Sequence, residues 1–139
     1  MIVLDTNVIS ELRNRRYSDH LLTWLDGVAH EETYLTTVSI AEIHFGIGCL
    51  PDGRRKADLA ELYRQIEAEF TDRILVFSID AAHRYGQLSA ERRSRGHPIE
   101  TKDAMIAAIC LSHGATLATR NVKDFEGLDL RLVNPFEGA

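Results

Sequence analysis

Five oxygen-bearing side chains stand where a chain could do chemistry with them: Asp5, Glu42, Asp103, Asn121 and Asp124. Carboxylates and an amide offer oxygen donors alone, which suits a hard cation, Mg²⁺ or Mn²⁺. Carboxylates gathered at one mouth repel each other unless positive charge sits among them. Three of them overbalance one divalent ion, so water would complete its coordination. Water oriented and acidified in that way is a nucleophile for phosphodiester hydrolysis. The ion would also screen the acids and admit a polyanionic substrate. Thr6, Asn7, Ser39 and Thr119 are the neighbours able to support the acids or the water, and Lys102 and Arg120 are the cations beside them.

The expectation that these residues meet rests on the elements that carry them. Ile2, Val3 and Leu4 are apolar on both faces, as in a central strand of a parallel sheet. Asp5 then sits at the carboxyl edge of that strand, where open α/β sheets bind ligands. Tyr34 to Val38 is β-branched and aromatic and reads as a second strand. A helix beginning at Ser39 puts Glu42 in its first turn. Thr101 or Glu100 opens a later helix with Asp103 in its first turn, feeding a strand over Thr116 to Thr119. Asn121 and Asp124 follow that strand. A helix that leads into a parallel strand runs antiparallel to it, so its N-terminus lies at the carboxyl edge. All of these positions are therefore predicted at one edge.

Each position also has a local explanation. Ser39-x-x-Glu42 matches a capping box. Asp103 suits a helix dipole, Asp5 an Asx turn, and Asn121 a cap for a short turn ending at Asp124 and Phe125. Their joint placement is what points to a site.

Elsewhere, Asn7 to Arg13 reads as a short helix running into Arg13-Asn14-Arg15-Arg16. Ser18 or Asp19 caps a second helix with Leu21, Leu22, Trp24 and Leu25 apolar and Gly27 at its end. Ile40, Ile43, Ile47 and Leu50 recur at helical spacing, Pro51-Asp52-Gly53 is a turn, and a longer helix runs from about Arg54 to Phe70. Residues 40–70 therefore form an αα-hairpin. Ile74 to Phe77 is a third strand, Asp80 caps a helix reaching Arg95, Gly114 stops the Asp103 helix, and Leu130 to Val133 is the last strand. Strands alternating with helices predict an α/β fold with a mostly parallel sheet.

The totals narrow the class. A chain of 139 residues, 45% hydrophobic and 27% charged, is expected to be one domain spanning 1–139. Its net charge of −5 leaves a nucleic acid to be held by local cations or a bound metal. Candidate phosphate-positioning residues are Arg13, Arg15 and Arg16, then Arg92, Arg93 and Arg95, with solvated helix ends as the alternative. Cys49 and Cys110 lack metal-like spacing and are expected to be reduced core cysteines of a cytoplasmic protein. No leader peptide and no membrane span is expected.

Taken in order, Asp5-Thr-Asn, Ser39-x-x-Glu42, Asp103-x-x-Ile-Ala-Ala and Thr119-Arg-Asn-x-x-Asp124-Phe resemble the PIN-domain signature. Order, spacing and length over essentially the whole chain resemble the VapC/FitB-type toxins of bacterial toxin–antitoxin pairs. The resemblance implies a three-layer α/β/α fold and a Mg²⁺- or Mn²⁺-dependent endoribonuclease, dimeric and neutralised by a small partner protein. It implies that Asp5, Glu42 and Asp103 hold the metal and carry catalysis. A fourth acid often stands where this chain has Asn121, which argues against a second metal. Asp124 matches a position whose role is more often structural. Attack in line on an RNA phosphate would leave a 5′-phosphate and a 3′-hydroxyl. The 2′-hydroxyl takes no part, so the chemistry does not exclude DNA. The partner, an antitoxin, is expected to insert an Arg or Lys among the acids and lay an apolar helix in the αα-hairpin groove.

Two rival functions remain at this point. A receiver-like signalling module also gathers acids round Mg²⁺ at a sheet edge, and Asp80 would be its phosphoacceptor. A catalytically inert PIN-like subunit would bind RNA without cutting it. Other motifs are missing: Gly46-x-Gly48 lacks a third glycine, and Glu42 and His44 are two apart, on different sides of a helix.

Overall fold

The computed structural model describes residues 1–12 and 19–137. Arg13, Arg15, Arg16 and Ser18 lie outside the described residues. Strand β1 (Ile2–Leu4) pairs with β2 (Thr33–Thr36) on one side and β4 (Thr116–Ala118) on the other. The edges are β3 (Ile74–Leu75) and β5 (Arg131–Val133), so the order is β3-β2-β1-β4-β5. All pairings among these strands are parallel, one step beyond the mostly parallel sheet expected.

The apolar run of β1 explains its central place. Val3 and Leu4 are 0% and 1% exposed, and successive strand residues face opposite sides of a sheet. Val3 joins Leu117 and the apolar faces of α5 (Ile79–Ser94) and α6 (Thr101–His113). Leu4 joins Leu35, Ala118 and residues of α1 (Thr6–Leu12), α2 (Asp19–Asp26), α3 (Thr37–Gly48) and α4 (Arg54–Glu69). Two cores, one on each face, make the three layers. α6 is the most deeply buried helix because Ala104 and Ile106 to Cys110 leave it almost no polar side. Gly114, at φ 62°, ends it, letting the Ala115 N–H reach the Cys110 carbonyl at 2.9 Å before β4 begins. The αα-hairpin forms as expected from α3 and α4, with His44 Nε2 2.6 Å from Glu67 Oε1.

Side-chain caps move several boundaries. The β-branched run from Tyr34 leaves the sheet after Thr36, whose Oγ1 accepts the Ser39 N–H at 3.1 Å. α3 therefore begins at Thr37, not Ser39. β3 stops at Leu75, and Ser78 Oγ takes the Ala81 N–H at 3.1 Å. Ser78, not Asp80, caps α5. β4 stops at Ala118 and β5 starts at Arg131, each one residue inside the expected strand. Cys110 is buried, but Cys49 is exposed at the hairpin turn, so only one of the two is a core cysteine; both are free. No described helix is long and apolar enough to cross a membrane.

Candidate active site

Asp5 is the hinge between sheet and helix. Its N–H continues the β1–β4 ladder to the Ala118 carbonyl at 2.9 Å, and its carbonyl accepts from Val8 and Ile9, starting α1. The side chain is 4% exposed. Oδ1 accepts the Thr6 N–H at 2.8 Å, and Oδ2 accepts the Thr119 hydroxyl at 2.7 Å. Burial pushes the Asp5 carboxyl above its ordinary pKa; those two hydrogen bonds oppose the shift, and the charge of Asp124 adds to it.

Thr119 and Asn7 tie the two strand ends together. The Asn7 amide donates to Thr119 Oγ1 at 3.3 Å and to Asp5 Oδ2 at 3.4 Å, while its Oδ1 accepts the Arg120 N–H at 3.1 Å. Thr119 Oγ1 also accepts the Asn121 N–H at 3.1 Å. These residues support Asp5, as their positions in sequence suggested.

Glu42 is drawn to the same place by Thr6, whose Oγ1 lies 2.9 Å from Ser39 Oγ and 3.2 Å from Glu42 Oε1. One hydroxyl proton serves one of these acceptors at a time. The capping-box explanation fails, because Thr36 rather than Ser39 caps α3. Glu42 is thus in the second turn, not the first, and reaches across to α1 instead of back to Ser39. Burial raises its pKa; Thr6 and then Lys102 lower it, while Asp5 and Glu100 raise it.

Asp103, in the first turn of α6, receives no hydrogen bond from a described residue through its carboxylate. Burial raises its pKa to about 6, helped by the charges of Asp5, Glu100, Asp124 and Glu42. So the acids from β1, α3 and α6 share one electrostatic neighbourhood. Glu100 belongs to it too and was missed as a site residue. Its Oε2 caps α6, accepting the Lys102 and Asp103 N–H groups at 3.0 and 3.1 Å. The available signal was an acid three residues before Asp103, at the position where the helix opens.

The expected contributors past β4 divide. Asn121 precedes a 3₁₀ turn (Val122–Phe125) as expected, but its side chain makes no cap bond and is exposed. Asp124 is exposed, yet its charge acts on both Asp5 and Asp103. Arg92 does not offer a free guanidinium. Its Nε donates to the His97 carbonyl at 2.8 Å, and its Nη1 to the Asp124 and Glu126 carbonyls at 3.4 and 3.1 Å. Arg95 pairs with Glu91, and Arg93 is exposed. Asp80 pairs with Arg84 at 3.1 Å on the surface of α5, behind a two-residue edge strand. A receiver-like module needs that aspartate at the end of a central strand in a 2-1-3-4-5 sheet, so the strand order here removes that rival.

The donor set fits a hard cation: oxygen atoms only, carboxyls raised by burial and by each other, and a hydroxyl and amide frame behind them. Among the described residues, no group of three or more His, Cys, Asp or Glu side chains is placed so that it could hold a metal ion.

A family model described as PIN domain matches residues 2–129. The plasmid stability protein StbB of Pseudomonas syringae pv. tomato is 43% identical over 99% of both chains. The VapC ribonuclease Y4jK of Sinorhizobium fredii is 37% identical over the full length of both. Toxin FitB of Neisseria gonorrhoeae is 36% identical over 98% of this chain and 99% of its own. A solved structure of FitAB bound to an IR36 DNA fragment superposes with a TM-score of 0.91 at 34% identity, covering 100% of this chain and 98% of that one.

Proposed function

This chain belongs to the PIN-domain family, and we propose that it is a Mg²⁺- or Mn²⁺-dependent endoribonuclease, the toxin of a toxin–antitoxin pair, with residues 1–139 as one nuclease domain. The observation that carries the reading is the pair of contacts made by Thr6, whose N–H donates to Asp5 Oδ1 at 2.8 Å and whose Oγ1 lies 3.2 Å from Glu42 Oε1, so that the carboxylates of β1 and α3 meet at one residue; the charges of both act on Asp103. The relatives' names, a VapC ribonuclease and a toxin, support the reaction and the role.

Asp5, Glu42 and Asp103 would hold the ion, with Asp124 behind them and Asn121 contributing less. Mg²⁺ or Mn²⁺, when bound, would supply charge neutralisation and a nucleophilic water at neutral pH. The chain's own residues do the positioning. Thr119 and the Thr6 N–H oppose the upward push that burial gives the Asp5 carboxyl and fix its rotamer. Thr6 Oγ1 aims Glu42, and Asn7 locks the Thr119 hydroxyl. Asp103 keeps its oxygens free of donors. A neutral Asn121 in place of an acid favours one ion over two. RNA reaching this mouth would be cut in the cytoplasm, where an antitoxin would silence it by placing an Arg or Lys among the acids and an apolar helix on the α3–α4 hairpin. Two copies of the chain would form the active dimer.

A labelled single-stranded RNA incubated with Mg²⁺, with Mn²⁺ and with EDTA tests the reading. Cleavage with either ion is expected, and none in EDTA or in a folded Asp5→Asn variant. RNA binding without cleavage would instead make the protein an inert subunit. Cleavage that survives both EDTA and Asp5→Asn would overturn the metal assignment.

A further inference from the structure

Helix α6 opens on Glu100, whose backbone is still extended, at φ −62° and ψ 143°. Its Oε2 accepts the N–H groups of Lys102 and Asp103 at 3.0 and 3.1 Å. One carboxylate oxygen thus holds two of the donors that a helix start leaves unpaired. Asp103 is one of the two, so Glu100 fastens the backbone that carries a proposed metal-holding acid. Ile99, just before the cap, packs in the same core as the buried Ala104 just after the capped residues. Such a pairing across a cap sets the angle at which the chain enters the helix. Glutamate is an uncommon residue at this position. Serine, threonine, aspartate and asparagine lead there, because a short side chain already reaches the N–H groups. Glu100 spends one oxygen on the cap; its Oε1 receives no hydrogen bond from a described residue, and the side chain is exposed.

We propose that Glu100 is a further positioning residue of the reaction: its Oε2 fixes the backbone under Asp103, and its charge strengthens the hold of the acids on a divalent ion. The role rests on the metal-dependent reading above and adds a residue to the three proposed to hold the ion. The cap accounts for the first half alone. A serine would cap as well and would lose less side-chain freedom. The charge accounts for the second half. It acts on both Asp103 and Glu42, so it belongs to the mouth and not to the solvated side of α6. A carboxylate beside the ligands attracts a doubly charged ion without taking a place in its coordination. Because Glu100 is exposed, salt screens that attraction. The cap is a pair of short contacts and is not screened in this way. Salt therefore separates the two halves.

The test is Mn²⁺ binding to the full chain, by isothermal titration at about 0.01 M and about 1 M salt, which shortens the reach of a charge from about 30 to about 3 Å. Glu100→Ser keeps a cap and loses the charge. It is expected to weaken binding at least about threefold at low salt and to match the wild type at high salt. Glu100→Asp keeps cap and charge and stays within about twofold of the wild type at both. Glu100→Ala loses both. It shows the low-salt loss of Glu100→Ser plus a further loss that persists at high salt. Its Lys102 and Asp103 amides also exchange faster, read by NMR without metal, whereas those of Glu100→Ser exchange as in the wild type. Asp72→Asn is the control and leaves binding unchanged, because it removes an exposed acid just ahead of β3, at the opposite edge of the sheet. Glu100→Ser binding Mn²⁺ like the wild type at low salt overturns the proposal and leaves Glu100 a helix cap. An equal loss in Glu100→Ser at both salts overturns it too, because a screened charge cannot act so. Glu100→Ala matching Glu100→Ser in binding and in exchange overturns the half that rests on the cap. Each of these results leaves the metal reading standing. A wild-type chain that binds no Mn²⁺ overturns that reading and this role together.

Discussion

The Thr119 hydroxyl donates to Asp5 Oδ2 at 2.7 Å, joining residues 114 apart in sequence, and both are buried. Neither makes sense alone. A carboxylate in that position costs free energy in proportion to its desolvation, and a buried hydroxyl needs a partner. Paired, each satisfies the other, and the ends of β1 and β4 are locked side by side.

Thr119→Val keeps the shape and removes the donor. Because the Asp5 acceptor stays buried, we expect a stability loss of about 1.5–3 kcal/mol at pH 7. Asn7 Nδ2 and the Asn121 N–H also lose their acceptor, so the loss belongs in the upper part of that range. Urea unfolding monitored by circular dichroism measures it; an unchanged midpoint would mean that water replaces the hydroxyl.

Asp103 makes the metal-free protein less stable as pH rises. Its carboxyl titrates near 6 in the folded chain against an ordinary value of 3.8, so the native state binds the extra proton between those limits. Stability from this group is full below about 4 and lost as pH climbs through about 6. Asp103→Asn should therefore leave stability at pH 4 nearly unchanged. In EDTA at pH 7 it should raise stability by on the order of 1 kcal/mol, a value reduced for the partial exposure of the group. Denaturation midpoints across pH 4 to 7, wild type against variant, decide the sign.

Metal addition should reverse that penalty. Mn²⁺ at about one hundred times its dissociation constant stabilises by roughly 2.7 kcal/mol if only the folded chain binds it. The rise in Tm with Mn²⁺ should shrink in Asp5→Asn, Glu42→Gln and Asp103→Asn. Equal Tm rises in all four proteins would place the ion elsewhere.

Thr6→Val tests orientation rather than coordination. Its hydroxyl is the described donor that reaches Glu42. Removing an orienting group of this kind typically costs about 10- to 100-fold in metal affinity. Isothermal titration with Mn²⁺ reads the change, and Thr6→Ser should recover most of it.

Arg92→Ala separates two roles for a basic side chain. The guanidinium ties the end of α5 to the carbonyls of Asp124 and Glu126. We expect a loss of about 1–2 kcal/mol in unfolding free energy with the salt slope of RNA binding unchanged. A slope reduced by about one would instead make Arg92 a phosphate contact.

Much of the site was legible in the chain because strand ends and helix starts carry directions. Once Ile2–Leu4 is a buried parallel strand, Asp5 must face the carboxyl edge, and the helix feeding β4 must bring Asp103 there. The αα-hairpin and the buried α6 followed from apolar spacing. What misled were residues whose local preference was outvoted. Thr37 and Val38 favour strands, yet the Thr36 cap starts a helix at Thr37. Arg92 looked like a free cation, yet loop carbonyls occupy it. Glu100 opens the helix as its position suggested, and its charge also acts on Asp103 and Glu42, which a local reading does not reveal.

The sequence by itself determined the sheet's parallel direction and the oxygen-only chemistry that its acids offer, because these follow from hydrophobic period, chain direction and residue type. The tertiary structure alone decided that Thr6 aims Glu42, that Thr119 holds Asp5 and that Asp103 is pushed to about 6. Those are pair interactions between side chains far apart along the chain. Their strength depends on distance and on water excluded, and neither quantity exists until the chain has folded.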